Sequence, residues 1–531
     1  MKKTLVIALI VVAVVLRLLV MGDHLYEDEH AFLAMAGDTS EGFFSFHTTY
    51  HGGDFYWTHE PLSILVYRTS LLLVPDETIA MRLVPLLFGL MTAAATFLFV
   101  RYMYSRKAAM ITLLVMLFSF WHFLASMQVD IDGSVLMFFF AASIYCFLIG
   151  EKKDQWKWFM MSGVAFGLAM LSKLPAIIIL AILGLYVLFT GLKKRRFYRL
   201  VVVALIGGLM YLPFPLIFSS MNPDVVSETY SYASAKVNLV PSLMPLVYLL
   251  LWGTPLLAGA YLLRPKKSLL PYIWAVLLPL AYFFVTSMSP FDRYLMPAIP
   301  ALCILAGVAL ARMKVRQGIA LIAGIGSIIF LEVANAFTVM VPHSMGTYYQ
   351  LAKSFSWNFF LPLTGPSGPA IGINFFSLAI VLISAGIGLG MTFTRKKAVG
   401  IGIFIGVSLA LNVFLIQELV FHTHYPDVGK VTGEVIGTAQ GLEGPFMTNI
   451  VSTEYYLDRG GENTYRFLYT TPAANITRMI MESDTAVIVD FPKLDDGLLD
   501  LFDRCELRRS ISDNGLMMGH VYSCQQTPEV P

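Results

Sequence analysis

Carboxylates and histidines crowd into one stretch near the start of this chain. Residues 22–60 hold Asp23, Glu27, Asp28, Glu29, Asp38, Glu41, Asp54 and Glu60, together with His24, His30, His47, His51 and His59. Half of the ten histidines therefore fall in this one segment. Its densest part is Tyr26-Glu27-Asp28-Glu29-His30, and a second acidic segment follows at Gln128-Val129-Asp130-Ile131-Asp132-Gly133. Cations stand beside apolar runs at Arg68, Arg82, Lys173 and Arg293. Such a set suits proton removal coupled to departure of an anion. A carboxylate takes the proton of an acceptor hydroxyl, and Lys or Arg stabilises charge gathering on a leaving phosphate. The histidines lack a ligand spacing such as His-Glu-x-x-His. No metal ligand or cofactor is assigned, and a divalent cation is left open.

Each group also has a plainer use. The first acids could be a solvated loop, Asp132 could cap the helix that follows it, and Arg82 and Arg293 could pair locally with Asp76 and Asp292. Against the loop reading, Glu27, Asp28 and Glu29 come only a few residues after an apolar run. A charge that close to hydrocarbon is costly without a partner or a task.

The elements that must position these groups are membrane helices. The chain is 57% hydrophobic and only 14% charged over 531 residues, with a mean hydropathy of +0.69. A soluble chain has about a quarter of its residues charged. Apolar runs fall at 4–21, 82–100, 108–126, 133–149, 157–172, 174–190, 200–218, 242–263, 269–287, 294–311, 317–340, 371–393 and 399–420, which is about 13 crossings by length. The segment 61–74 is too short to span and suits an interfacial helix that presses the first loop onto the bilayer. Alternate threading puts the basic loops 101–107, 152–157, 193–199, 264–267, 312–316 and 395–397 on one side, cytoplasmic by the positive-inside rule. The N-terminus is then cytoplasmic. The first outer loop, 22–81, has no Lys or Arg before Arg68. The turn at Asp130 and Asp132 shares its side, as does the segment 425–531.

The reading is an all-α polytopic membrane unit over 1–424, with a small extracytoplasmic α/β domain over 425–531. Candidate strands in the latter are Gly444–Ile450, Thr485–Phe491 and Gly519–Cys524. Cys505 and Cys524 could pair there, their geometry being open from sequence. Cys146 and Cys303 lie in apolar runs as buried thiols, and Asn475-Ile476-Thr477 is a sequon. The net charge of +2 says nothing about partners, because the charges are segregated by side rather than pooled; no nucleic-acid partner is expected.

These residues resemble the GT-C superfamily of membrane glycosyltransferases, in particular its protein O-mannosyltransferase and aminoarabinose-transferase branch. Asp28-Glu29 resembles the Asp-Glu pair of that family's first outer loop. His59-Glu60-Pro61-Leu62 is similar to its His-Pro-Pro-Leu or Lys-Pro-Pro-Leu element, with Glu60 departing from the pattern. Asp132, with Asp130 competing, resembles the acid of the second outer loop. Gly167-Leu168-Ala169-Met170-Leu171-Ser172-Lys173 resembles Gly-Leu-Ala-x-Leu-Thr-Lys, and Arg293-Tyr294-Leu295-Met296-Pro297 resembles Arg-Tyr-x-x-Pro. The resemblance implies a polyprenyl- or dolichyl-phosphate sugar donor, a protein or lipid-linked glycan acceptor, and transfer with inversion at the outer face of the cell membrane. It implies Asp28 as general base, Glu29 as its support, and Asp132 or Asp130 completing the site. Lys173 and Arg293 would hold the donor phosphate, with Tyr294, His59, Glu60, Arg68 and Arg82 lining the substrate.

A lipid-sugar flippase or transporter is the rival from another class. Pro213, Pro215 and the run Pro241–Pro255 interrupt helices, but intramembrane polar groups are sparse, chiefly Arg17, Glu332 and Asn335. A polysaccharide polymerase would differ in taking a longer lipid-linked glycan.

Overall fold

The computed structural model describes residues 3–26, 28–37, 43, 47–50, 53–56, 60–221, 244–262, 269–284, 292–338, 347, 350–351, 353–354, 356–363, 371–440, 442, 444–450, 457, 464–466, 471–490, 494 and 496–524. Glu27, Asp38, Glu41, His51, His59 and the basic loop at 264–267 lie outside them. Among the described residues, six helices are long and apolar enough to cross a membrane: Glu77–Met103, Ser134–Lys153, Lys194–Ile217, Arg293–Leu310, Gln317–Ala336 and Lys397–Phe421. Thr4–Leu19, Pro61–Leu73, Leu174–Thr190, Leu269–Phe283 and Phe375–Met391 are shorter apolar helices. The chain is a multi-pass membrane protein.

Several runs that read as single helices are broken, each for a local reason. The run 108–126 forms Arg106–Leu117 and then Phe120–Ala125. The amide of Phe120 donates to Asn412 Oδ1 at 2.8 Å, so a side chain replaces the carbonyl lost at the break. Asn412 also donates to Thr254 Oγ1 at 2.7 Å. Thr254 has φ 53° and stands where the run 242–263 divides into Met244–Leu251 and Thr254–Ala258. One buried asparagine thus serves both breaks. The run 371–393 opens as a strand, Ile371–Asn374, paired with Phe360–Leu363. Asn374 then caps the helix Phe375–Met391 by accepting from the Ser377 amide at 2.7 Å.

The first helix, Lys3–Leu19, faces outward along much of its length, with Leu5, Ile7, Val11, Val15 and Leu18 exposed. Its buried side is narrow, Val6, Ala13 and Arg17, and Arg17 carries a charge there. Its guanidinium donates to Ser126 Oγ at 2.7 Å, to the Ala13 carbonyl at 2.8 Å and to the Leu117 carbonyl at 3.0 Å. It also lies 4.4 Å from the Phe123 ring centroid. Elsewhere small residues set the spacing between helices. A Cβ on Gly163, in the helix Trp156–Ser172, would come within 2.7 Å of Ile206 on Lys194–Tyr211.

After Phe421 the chain leaves the last membrane helix through His422 in the left-handed region, φ 45°. His424 then reaches back to Glu418 at 2.7 Å and Glu332 at 3.5 Å. The bond to Glu418 raises the His424 pKa above the ordinary histidine value, burial opposing it and both carboxylates adding to it. Beyond, a helix Val428–Ala439 packs on a five-stranded mixed sheet. Strand order is Thr464–Arg466, Phe446–Thr448, Thr485–Val489, Leu516–Ser523, Glu506–Asp513, the first three parallel and the last two antiparallel additions. The three expected strands are present in shortened or shifted form. The strand Glu506–Asp513 was not among them, although Asn514-Gly515 marks its hairpin turn with φ 47° and 78°. Cys505 and Cys524 are disulfide-bonded, with Cα atoms 4.4 Å apart.

Candidate active site

Glu29 and Arg82 organise the two acidic segments. The short helix Asp28–Gly37 starts two residues after Tyr26, and its Glu29 turns fully inward. Glu29 accepts from the Tyr26 amide at 2.9 Å, the Val129 amide at 2.9 Å, and Arg82 at 3.2 and 3.3 Å. Burial opposes its ionisation, while Arg82 and the two amides favour it. Arg82 also donates to the carbonyls of Asp23, His24 and Met127 at 2.8–2.9 Å. The pair therefore staples the first acidic segment to the one carrying Asp130. The expected Asp76–Arg82 pair does not form, because Asp76 is used as a cap, accepting from the Ile79 amide at 2.8 Å.

Tyr67 fixes the second acidic segment. Its hydroxyl accepts from the Asp130 amide at 3.0 Å and donates to the Asp130 carbonyl at 3.1 Å. Asp130 Oδ1 in turn accepts from the Asp132 amide at 2.8 Å. Asp132 does not cap the next helix: Gly133 holds that position, with no side-chain cap bond. Its carboxylate points instead to Lys173, 3.4 Å away.

Four separated segments then converge. Arg293, in the 3-10 turn Asp292–Ala298, places Nη1 3.0 Å from Asp28 Oδ2 and 3.0 Å from Asp130 Oδ2. Its Nε is 3.9 Å from Asp132 Oδ2. Asp130 and Asp132 are buried, whereas the Asp28 side chain is 36% exposed. Lys173 ends the helix Trp156–Ser172 in extended backbone, and Glu60 accepts from the neighbouring Leu174 amide at 2.8 Å. Burial disfavours the Lys173 charge, but Asp132 and Glu60 outweigh it and raise its pKa. Burial likewise raises the pKa of Glu60 and of Asp132, with Lys173 opposing in both. Tyr294 stacks on Tyr282 with ring centroids 5.5 Å apart, walling the cationic side.

Arg68 and Arg82 have other partners than the phosphate expected of them. Arg68 donates to the carbonyls of Met35, Ala36 and Phe43, closing the C-terminal end of the helix Asp28–Gly37. His30 is buried, and burial, with Arg82 and His24 adding, pushes its pKa down to about 3. Sequence reading passed over Tyr67, whose signal was only its place in the short apolar segment before Arg68. Among the described residues no group of three or more His, Cys, Asp and Glu is arranged to hold a metal ion.

One arginine and one lysine are thus shared among three aspartates, on a scaffold of long and broken helices. Residues 58–215 match the family model described as dolichyl-phosphate-mannose-protein mannosyltransferase. The fold is that of ArnT from Cupriavidus metallidurans: its crystal structure with undecaprenyl phosphate superposes with a TM-score of 0.65 at 18% identity, covering 99% of each chain. The apo form gives 0.63 at 20% identity, over 98% of each. The oligosaccharyltransferase AglB from Archaeoglobus fulgidus, in complex with an inhibitory peptide and a dolichol-phosphate, gives 0.50 at 11% identity over 100% of this chain and 75% of that one. No curated protein shows a significant sequence match.

Proposed function

We propose that the protein transfers a hexose from a polyprenyl-phosphate donor to an acceptor hydroxyl at the outer face of the membrane, with inversion. The carrying observation is Arg293, which holds the partly exposed Asp28 and the buried Asp130 through one nitrogen. An arriving phosphate competes for that guanidinium. The solvent-facing bond to Asp28 is the one it displaces, because Asp130 is also anchored by the Asp132 amide. Binding the donor thus frees Asp28 to take the acceptor's proton, while Arg293 and Lys173 stabilise the departing phosphate. Asp132 holds Lys173 in place, and Glu29 with Arg82 holds the start of the helix that carries Asp28. A single displacement inverts the anomeric centre.

The binding of undecaprenyl phosphate by ArnT and dolichol-phosphate by AglB supports the donor class. In this reading about 13 segments cross, the N-terminus is cytoplasmic, the segment 61–74 lies in the interface, and 425–531 is an extracytoplasmic domain. Asp28→Asn tests the assignment: inserted and folded normally, it abolishes transfer of radiolabelled sugar. Full transfer by this variant removes Asp28 as base. Lipid-sugar translocation that persists in wild-type protein without transfer to any acceptor would identify a flippase instead.

A further inference from the structure

A second polar site lies behind the catalytic corner, between the helix Asp28–Gly37 and the helix Val428–Ala439 of the C-terminal sheet unit. A cavity of about 270 Å³ is lined there by His24, Leu25, His30, Thr78, Thr432, Gly433, Ile436, Gly437 and Gln440. Its floor is buried: Leu25, His30 and Thr432 are 1–2% exposed. Its mouth is open, at His24, Gly437 and Gln440.

Thr432 is the telling residue. Its hydroxyl is buried and has no hydrogen-bond partner among the described residues, although a buried unsatisfied hydroxyl costs about 1–3 kcal/mol. It lines a space that can hold a partner for it. None of the lining residues is Asp, Glu, Lys or Arg, and His30 is neutral at physiological pH because burial pushes its pKa to about 3. The lining offers groups that both donate and accept (two threonine hydroxyls, two imidazoles and one carboxamide), beside the apolar side chains of Leu25 and Ile436. Mixed donors and acceptors around an apolar patch complement a ring that bears vicinal hydroxyls on one edge and C–H groups on its face. Gly437 keeps the mouth clear, since a Cβ there would meet nothing within 4 Å.

We propose that this cavity binds a neutral sugar ring of the acceptor, holding it while a hydroxyl elsewhere on the same acceptor reaches Asp28. The proposal rests on the glycosyltransferase reading above. Asp28 and His30 are two positions apart on one helix and so face nearly opposite sides. The reacting hydroxyl and the bound ring therefore belong to different parts of the acceptor.

The test separates binding from transfer. Saturation-transfer NMR on detergent-solubilised full-length protein, with methyl hexopyranosides as probes, should show binding to wild type and equally to Asp28→Asn. Gly437→Leu fills the mouth with a better helix former; it should abolish that binding with no fall in melting temperature. Thr432→Val, close in shape, should weaken it roughly tenfold, the size of one neutral hydrogen bond. In transfer assays both variants should raise the acceptor KM and leave the donor KM unchanged. No glycoside binding to wild type, or binding unaltered in both variants, overturns the proposal and leaves a cavity that holds water only. Wild type that binds glycosides but transfers no sugar would keep this site and overturn the functional reading instead.

Discussion

Glu29→Gln and Asp28→Asn make the same isosteric exchange at adjacent residues, and their expected outcomes are opposite. Every contact of the Glu29 carboxylate is with a donor: two backbone amides and both terminal nitrogens of Arg82. A glutamine there must turn its NH2 toward one of them, whichever way it flips. It also leaves the Arg82 guanidinium, 3% exposed, without its counter-charge. Removing one partner of a buried ion pair costs about 3–5 kcal/mol, and the donor–donor conflict adds to this less than additively. Against a typical margin of about 5–15 kcal/mol, the loss is large. Asp28 is partly exposed, and it pairs with Arg293, which keeps Asp130. Thermal unfolding followed by tryptophan fluorescence in detergent should therefore drop clearly for Glu29→Gln and stay near wild type for Asp28→Asn. Sugar transfer per folded molecule should vanish in Asp28→Asn. A Glu29→Gln protein that melts like wild type, or an Asp28→Asn protein that unfolds early, would refute this division between holding and reacting.

Arg293→Lys keeps the charge but cannot reach two carboxylates as a planar fork does. Turnover should fall by roughly a hundredfold, the scale of one lost transition-state donor, as measured by initial rates at saturating donor. His30 gives a pH signature. The unfolded chain binds a proton near pH 6.5 that the folded one refuses until about 3. Stability should therefore fall as pH drops from 6.5, by at most about 1.4 kcal/mol per unit from this group, and His30→Gln should flatten that slope in melting curves. Cys505→Ser opens a loop with a sequence separation of 19. It should cost the C-terminal sheet about 3 kcal/mol, seen as earlier protease cleavage within 425–531 while the membrane helices still melt as before.

That the chain carries several apolar helices of crossing length was legible because apolar run length is a long-range, additive signal. Helix breaks were not. The interruption at Phe118 and Ser119 depends on Asn412, nearly three hundred residues away, which no local pattern in 108–126 reveals. At the site, Lys173 and Arg293 stood out as cations against the charge bias of their side, and the structure sets them against Asp132, Asp130 and Asp28. Arg68 and Arg82 stood out equally, yet they are taken up by carbonyls and by Glu29. Composition shows that a charge needs a partner; only the fold shows which partner it finds. The hairpin at Asn514-Gly515 was legible by its turn residues and was passed over because the flanking residues 506–513 are mostly polar and exposed.

Arg17 has a consequence for the order in which the protein is made. An arginine raises the cost of inserting an isolated crossing helix, by up to roughly 2.5–3.5 kcal/mol at its centre and by less in the last turn, where Arg17 stands. Its partners Leu117, His122 and Ser126 lie 100, 105 and 109 residues downstream. At about 5–20 residues per second they leave the ribosome roughly 5–20 seconds later. During that interval the first helix holds a cation with few local acceptors beyond its own Ala13 carbonyl. Lateral docking of this helix must thus wait for those later segments, and a chaperone or translocon that retains it briefly would set the yield of folded protein.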